Sequence, residues 1–479
     1  MTAAHMRTVL LLAATAVGLA LTAAAPRRGA AQGDPAVLGQ WSEVKPWPIV
    51  AIHTHVLPNG RVLVWPRSGG EDARIWDPAS EGFTPVPLST TNLFCSGHAF
   101  LPDGRLLVTG GHIVDGVGPP DVNIFDYRKN RWKAATPMNA GRWYPTSCAL
   151  GNGEVLVLSG ITTPEKGIDA LPQVFTARGV WRNLTSAQLV LPLYPFVHLA
   201  PNGKVFNSGP NRDTRYLDSA GTGAWTDVAA RTIYRDYGSS VMYDDGKVLL
   251  AGGGDPPTAT AEVIDLNAGA PAWRSVSPMA FARRQMNATL LPDGKVLVTG
   301  GTSSGTFNDA AGAVLDAELW DPDTETFSTV APQEIRRLYH STAVLLPDGR
   351  VLSGGGGQPF ATGESGNHPD VQIYSPPYLF NGPRPVIKNA PQAVKYGKKF
   401  VVQTRDAAAI RRVTWVRLSS VTHSVNMNQR INRLSFRTVP RGLQVTAPTN
   451  PNVCPPGHHM LFILNAAGVP SEAAIVQIR

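Results

Sequence analysis

The chain has 479 residues, of which 43% are hydrophobic, with 47 glycines, 41 prolines and a formal net charge of +8. Enough apolar residues to fill a core exclude a disordered chain, and evenly spread glycine and proline favour many short strands and turns. Arg7, Arg27 and Arg28 sit in the first stretch and no basic run follows, so a nucleic-acid partner is not expected.

Residues 1–31 have the layout of a secretory signal peptide: a weakly basic start with His5 and Arg7, an apolar run from Val9 to Leu21, then Ala23-Ala24-Ala25. About thirteen strongly apolar residues are short for a membrane anchor. No later stretch is apolar and long enough to cross a bilayer, so an exported protein is expected, and the alanine-rich leader suggests a bacterial cell exterior. Cys95, Cys148 and Cys454 are an odd number, which leaves at least one without a disulfide partner in the chain.

From Leu57 onward one pattern returns: Leu-Pro-Asp-Gly, a basic residue, then an apolar strand. Its turn glycines are Gly60, Gly104, Gly153, Gly203, Gly246, Gly294 and Gly349, spaced 43 to 55 residues apart. Asp-Gly or Asn-Gly between apolar runs signals a hairpin, and a repeat of about 50 residues is the period of kelch blades. A second half-motif follows each copy, as in Ile75-Trp76-Asp77 with Phe83 and Ile124-Phe125-Asp126 with Trp132. The seventh, Ile373-Tyr374-Ser375, lacks its aromatic strand, and Gly39–Val44 resembles the missing piece. The expectation is an all-β chain: a seven-bladed kelch-type β-propeller over 37–375, closed by the N-terminus, then a C-terminal immunoglobulin-like β-sandwich over 376–479 with strands such as Arg412–Leu418 and His459–Leu464.

In a propeller the innermost strands surround one axis, so residues nine before each turn glycine should share one height. They are Ala51, Cys95, Tyr144, Tyr194, Tyr237, Gln285 and His340, with Tyr339 beside the last. Such polar residues can simply pack around a water-filled channel. Tyrosine and histidine also suit copper. Cys95 and Tyr144 hold matching places on adjacent blades, where a thioether between them would account for an unpaired sulfur. A two-electron oxidation at one copper ion needs such a redox-active side chain.

Phe94-Cys95-Ser96-Gly97, Arg142-Trp143-Tyr144-Pro145, Leu338-Tyr339-His340-Ser341 and Thr422–Arg430 resemble the copper-radical oxidases, the family of galactose oxidase and glyoxal oxidase. The resemblance runs from about Val37 to Arg479 and leans towards glyoxal oxidase, through Tyr194–Leu199. It implies one copper ion and a Cys95–Tyr144 thioether radical cofactor. Tyr144 is then ligand and radical site, Tyr339 the axial tyrosine that accepts the substrate's proton, and His340 and His423 the remaining ligands. Neighbours on a regular strand point to opposite faces, so Tyr339 and His340 reach one metal only if the strand is interrupted, as by a bulge.

The resemblance implies a monomer that oxidises small aldehydes or primary alcohols with dioxygen and releases hydrogen peroxide. Two departures bear on substrate. Thr162 stands where galactose oxidases stack a tryptophan on the tyrosine, so a more exposed ring is expected unless another residue covers it. Leu189-Val190-Leu191-Pro192 lacks their sugar-holding arginine, which disfavours galactose. A bacterial oxidase of glycan primary alcohols and a non-catalytic kelch binding protein are the alternatives. His53, His55, His98 and His112 read as structural, and Cys148 as a buried thiol.

Overall fold

The computed structural model describes residues 33–359, 363 and 366–479; the expected signal peptide lies outside them. Seven four-stranded antiparallel sheets follow one another along the chain. The first comprises His53–Val56, Val62–Trp65, Arg74–Trp76 and Phe83–Pro85, and the second Gly97–Phe100, Leu106–Thr109, Val122–Asp126 and Arg131–Ala134. The innermost strands of the other five begin at Thr146, Phe196, Ser239, Asn287 and Ser341. All seven turn glycines are left-handed, from φ +70° at Gly246 to +92° at Gly294, a conformation that costs glycine nothing.

The seventh sheet takes its outer strand from the N-terminal end. Gln40 pairs with Ser375 and Trp41 with Tyr374, and the Trp41 indole donates to the Ala331 carbonyl. Hydrogen bonds between neighbouring blades then close a ring: His53 with His98, Thr109 with Ser147, Tyr194 N–H with Tyr144 O, and His198 with Ser240. Ser239 with Met286 O, Asn287 with Ser341, and Thr342 with Thr54 complete it. The fold is the expected propeller, and no edge stays open between first and last repeats.

Six of the seven axial positions are left-handed as well: Cys95 (φ +62°), Tyr144 (+66°), Tyr194 (+46°), Tyr237 (+51°), Gln285 (+62°) and His340 (+68°). Few residues other than glycine adopt this conformation, so something must hold them there. In four blades it is a buried arginine two or three residues earlier. Arg142, Arg235, Arg283 and Arg337 donate to the carbonyls of Ser159, Gly252, Gly300 and Gly355. They also pair with Asp169, Glu262, Glu318 and Asp370. The clasp ties the turn before the inner strand to the end of the second strand and to the third strand, or in the Arg142 blade to the segment leading into it.

After Ser375 the chain builds two further sheets. One is centred on Ile410–Arg417 paired with Gly457–Asn465; the other is Lys399–Gln403, Gly442–Thr446 and Phe436–Val439. They enclose Phe400, Val402, Trp415, Leu443, Leu461 and Ile463, the expected β-sandwich. Between Arg417 and Ile431 the chain leaves this sandwich as a buried finger inside the propeller. There Ser420–Thr422 adds a fifth strand to the first blade, pairing His53 with Thr422 and His55 with Ser420.

The Arg283 and Glu318 side chains are both 0% exposed. Removing one partner strands a buried charge, so Arg283→Ala should destabilise the protein by about 3–5 kcal/mol. The double change Arg283→Met with Glu318→Leu should recover only part of that loss: it removes the stranded charge but leaves the Gly300 and Asp316 carbonyls and the Ala280 N–H without their side-chain partners. Denaturant unfolding of the three proteins checks both outcomes.

Candidate metal centre

The finger ends in a two-residue hairpin. Thr422 and Val425 exchange backbone hydrogen bonds of 3.1 and 2.7 Å, and His423 and Ser424 between them are left-handed, φ +48° and +68°. That is the type I′ pattern, which favours glycine and asparagine. Other residues hold it only where their surroundings enforce it, and here they do. Gln429 Nε2 donates to Ala288 O and its Oε1 accepts from Leu290 N–H. Arg430 donates to Leu199 O, and Asn428 to His98 O. The finger is thereby pinned to blades two, four and six, and His423 is carried to the axis.

At the axis four expected residues meet. The Tyr144 and Tyr339 hydroxyls are hydrogen-bonded to each other. The His423 ring lies 4.7 Å from Tyr144, 5.4 Å from Tyr339 and 4.5 Å from His340 between centroids. Tyr339 and His340 stack at 3.9 Å. They manage this without a bulge: the left-handed turn at His340 precedes the strand Ser341–Leu345, whose register is regular.

The hydrogen bonds leave two atoms over. His340 Nδ1 donates to Gly357 O at 2.8 Å, and His423 Nδ1 lies 2.6 Å from Thr422 Oγ1. The Nε2 of each is buried without a partner. Other buried side-chain atoms of the chain also lack a protein partner; here two such imidazole nitrogens lie beside two phenol oxygens, a donor set that suits copper. Burial lowers the His340 pKa to about 3 and holds His423 well below the usual imidazole range, so both lone pairs are free near neutrality. Burial also pushes both phenols well above the usual tyrosine range. Their protons leave only when a cation takes the place.

Cys95 is fully buried, and its carbonyl accepts from Tyr144 N–H at 2.9 Å. Burial raises the pKa of its thiol well above the usual range, and the neighbouring Tyr144 side chain opposes that shift. Cys148 and Cys454 are buried and free too. The exposed ring expected from Thr162 is not found. Trp143 stacks on Tyr144 at 3.8 Å and 10°, and Tyr194 at 4.6 Å and 25°. Two rings that close cannot share one face, so Tyr144 is sandwiched. His112 Nδ1 accepts the Trp143 indole N–H at 3.2 Å, and Thr162 instead donates to Gly141 O. Trp143 stood inside a motif already singled out, but strand alternation would turn it away from Tyr144; the left-handed turn at Tyr144 brings it back.

A cavity of about 320 Å³ opens onto Tyr144, Tyr237 and His423, with Leu193, Phe196 and Asp236 among its other walls. Burial raises the Asp236 pKa, and Arg284 opposes that shift.

The glyoxal oxidase N-terminus family matches residues 72–218 and 255–378, and the galactose oxidase-like early set domain matches 384–478. Aldehyde oxidase GLOX of Vitis pseudoreticulata is 30% identical over 453 residues, covering 81% of this chain and 82% of that protein. The chain belongs to the copper-radical oxidase family. Within that family, galactose oxidase of Gibberella zeae is 29% identical over 497 residues, 92% of this chain and 71% of that one. A fungal alcohol oxidase of the AA5 family, solved in complex with copper, matches with a TM-score of 0.85 at 28% identity, over 92% of this chain and 99% of the other.

A copper ion taking the Tyr144 and Tyr339 oxygens would displace phenol protons, so copper affinity should rise with pH between about 6 and 8. The neutral imidazoles add no proton competition there. Copper titrations with simultaneous measurement of released protons check this; affinity independent of pH would contradict it.

Proposed function

We propose that this oxidase uses one copper ion, held by Tyr144, Tyr339, His340 and His423, to oxidise small uncharged aldehydes or primary alcohols with dioxygen. The observation that carries the proposal is the pair of buried, unpartnered Nε2 atoms of His340 and His423 beside two hydrogen-bonded phenols. An aldehyde reacts as its hydrate: RCHO, water and O2 give RCOOH and H2O2. A primary alcohol and O2 give the aldehyde and H2O2. Either way two electrons and two protons leave the substrate. Bound copper supplies one one-electron acceptor, and a side chain must supply the other.

Tyr144 fills that role, joined to Cys95 by a thioether. Forming it breaks one S–H and one ring C–H bond and makes one C–S bond; dioxygen takes the two electrons and two protons. Sulfur on the ring eases its oxidation, and Trp143 and Tyr194 shield both faces. Tyr339 Oη takes the substrate's hydroxyl proton, and the Tyr237 ring stands edge-on beside it at 5.5 Å. The protein acts as an exported monomer.

The cavity supports small substrates. Pro192 and Leu193 form its wall where a sugar-holding arginine would be, and Asp236 sets a carboxylate beside the entering molecule. Two carboxylates side by side repel, which favours methylglyoxal over glyoxylate.

Peptide mass spectrometry of copper-treated protein should find the Cys95 and Tyr144 peptides joined with two hydrogens lost. Separate, unmodified peptides after full loading would sink the proposal. Cys95→Ser should keep copper and lose nearly all turnover. In a peroxide-coupled assay methylglyoxal should outpace both galactose and glyoxylate. Asp236→Asn should raise the rate on glyoxylate relative to methylglyoxal, and an unchanged ratio would remove Asp236 from substrate choice.

A further inference from the structure

Beside the site just described, the first two blades bury three more imidazoles against the finger. His53 and His55 are two apart on one strand and so share a face. That face meets His98 of the second blade, and one nitrogen of each lies within 4.8 Å of the others. Three such imidazoles invite a second metal ion, but their hydrogen bonds already commit the lone pairs. The Cys95 backbone N–H donates to His53 Nε2 at 3.2 Å. His53, kept neutral by burial, therefore carries its proton on Nδ1 and donates to His98 Nε2 at 3.3 Å. His98 Nδ1 then donates to Ser420 Oγ at 2.6 Å, and the Ser420 hydroxyl to His55 Nδ1 at 2.8 Å. A metal ion on His53 Nδ1 would force a proton onto Nε2, leaving donor against donor at Cys95.

The acceptor at His53 Nε2 has a second neighbour. Thr422 Oγ1 lies 3.4 Å from it and 2.6 Å from His423 Nδ1. With its hydroxyl proton directed at His53, where it shares the Nε2 lone pair with the Cys95 N–H, Thr422 accepts from His423 Nδ1–H. That leaves the His423 lone pair on Nε2, the atom without a protein partner. The reverse orientation would protonate Nε2 and close it to a metal.

We infer that His53 is a positioning residue of the copper centre: through Thr422 it sets the tautomer of His423, and through the Cys95 backbone it holds the cysteine beside Tyr144. The inference rests on the copper ligation proposed above, and the wild-type protein tests that separately.

Copper affinity by chelator competition and thioether yield by peptide mass spectrometry test the inference without relying on turnover. His53→Phe keeps a ring where His53 stacks on Trp65 at 4.9 Å but has no acceptor. Its copper affinity should fall about 10–100-fold, the range for outer partners of metal-binding histidines, and the cross-link yield should fall with it. His53→Gln, whose Oε1 reaches the Nε2 position, should retain most of both. His55→Phe, at the far end of the chain, should bind copper as the wild type does. If His53→Phe does not fold, Thr422→Val cuts the same link from the finger side and should lose affinity equally. Wild-type affinity in His53→Phe, or in Thr422→Val where that stands in for it, overturns the inference. So does a loss in His53→Gln or His55→Phe as large as in His53→Phe. Failure of the wild type to take up copper would overturn the proposed ligation itself.

Discussion

Two consecutive left-handed residues, His423 and Ser424, must be held at the axis by a finger that belongs to the C-terminal sandwich. Each such residue costs on the order of 1–3 kcal/mol. Hydrogen bonds from Gln429, Arg430 and Asn428 into three blades offset this, at about 0.5–1.5 kcal/mol each, or more for the charged arginine. Neither the propeller nor the sandwich contains the whole site. Tyr144, Tyr339 and His340 stand on the ring, and His423 arrives only when the finger docks, so with copper ligated as proposed, metal affinity and the docking of the finger are one equilibrium.

The same backbone device recurs around the axis. A left-handed residue just before an inner strand breaks the two-residue alternation, so neighbours in sequence can share a side. Tyr339 and His340 stack on each other for this reason, and so do Trp143 and Tyr144. The buried arginine clasps keep these turns from relaxing into extended strand. Strain, clasp and side-chain position therefore form one chain of cause, from an arginine two or three residues upstream to the atom proposed to meet the metal.

Much of this was legible in the sequence because it repeats. Turn glycines at regular spacing gave the blades, the truncated seventh copy pointed to Gln40–Trp41 as its outer strand, and counting back from the glycines brought Cys95, Tyr144 and His340 to one height. His423 lies outside any repeat and was reachable only through its motif. What stayed hidden depended on backbone sign or on distant pairing. Strand alternation turns Trp143 away from Tyr144, and only a positive φ at Tyr144 reverses that. The arginine clasp was present as letters in four blades, yet a lone arginine reads as surface until its carboxylate and carbonyl partners are known. His53 and His55 read as an ordinary strand, because Thr422, which gives His53 its consequence, is 369 residues away.

Ligated as proposed, one copper ion sits between the ring and the finger and not in the neighbouring histidine cluster. Pulsed electron paramagnetic resonance of the copper(II)-loaded protein addresses this directly, because it counts coordinated imidazole nitrogens. A single copper environment with two of them, from His340 and His423, is expected, falling to one in His423→Ala. Three nitrogens that persist in His423→Ala would place the metal at His53, His55 and His98 and contradict it.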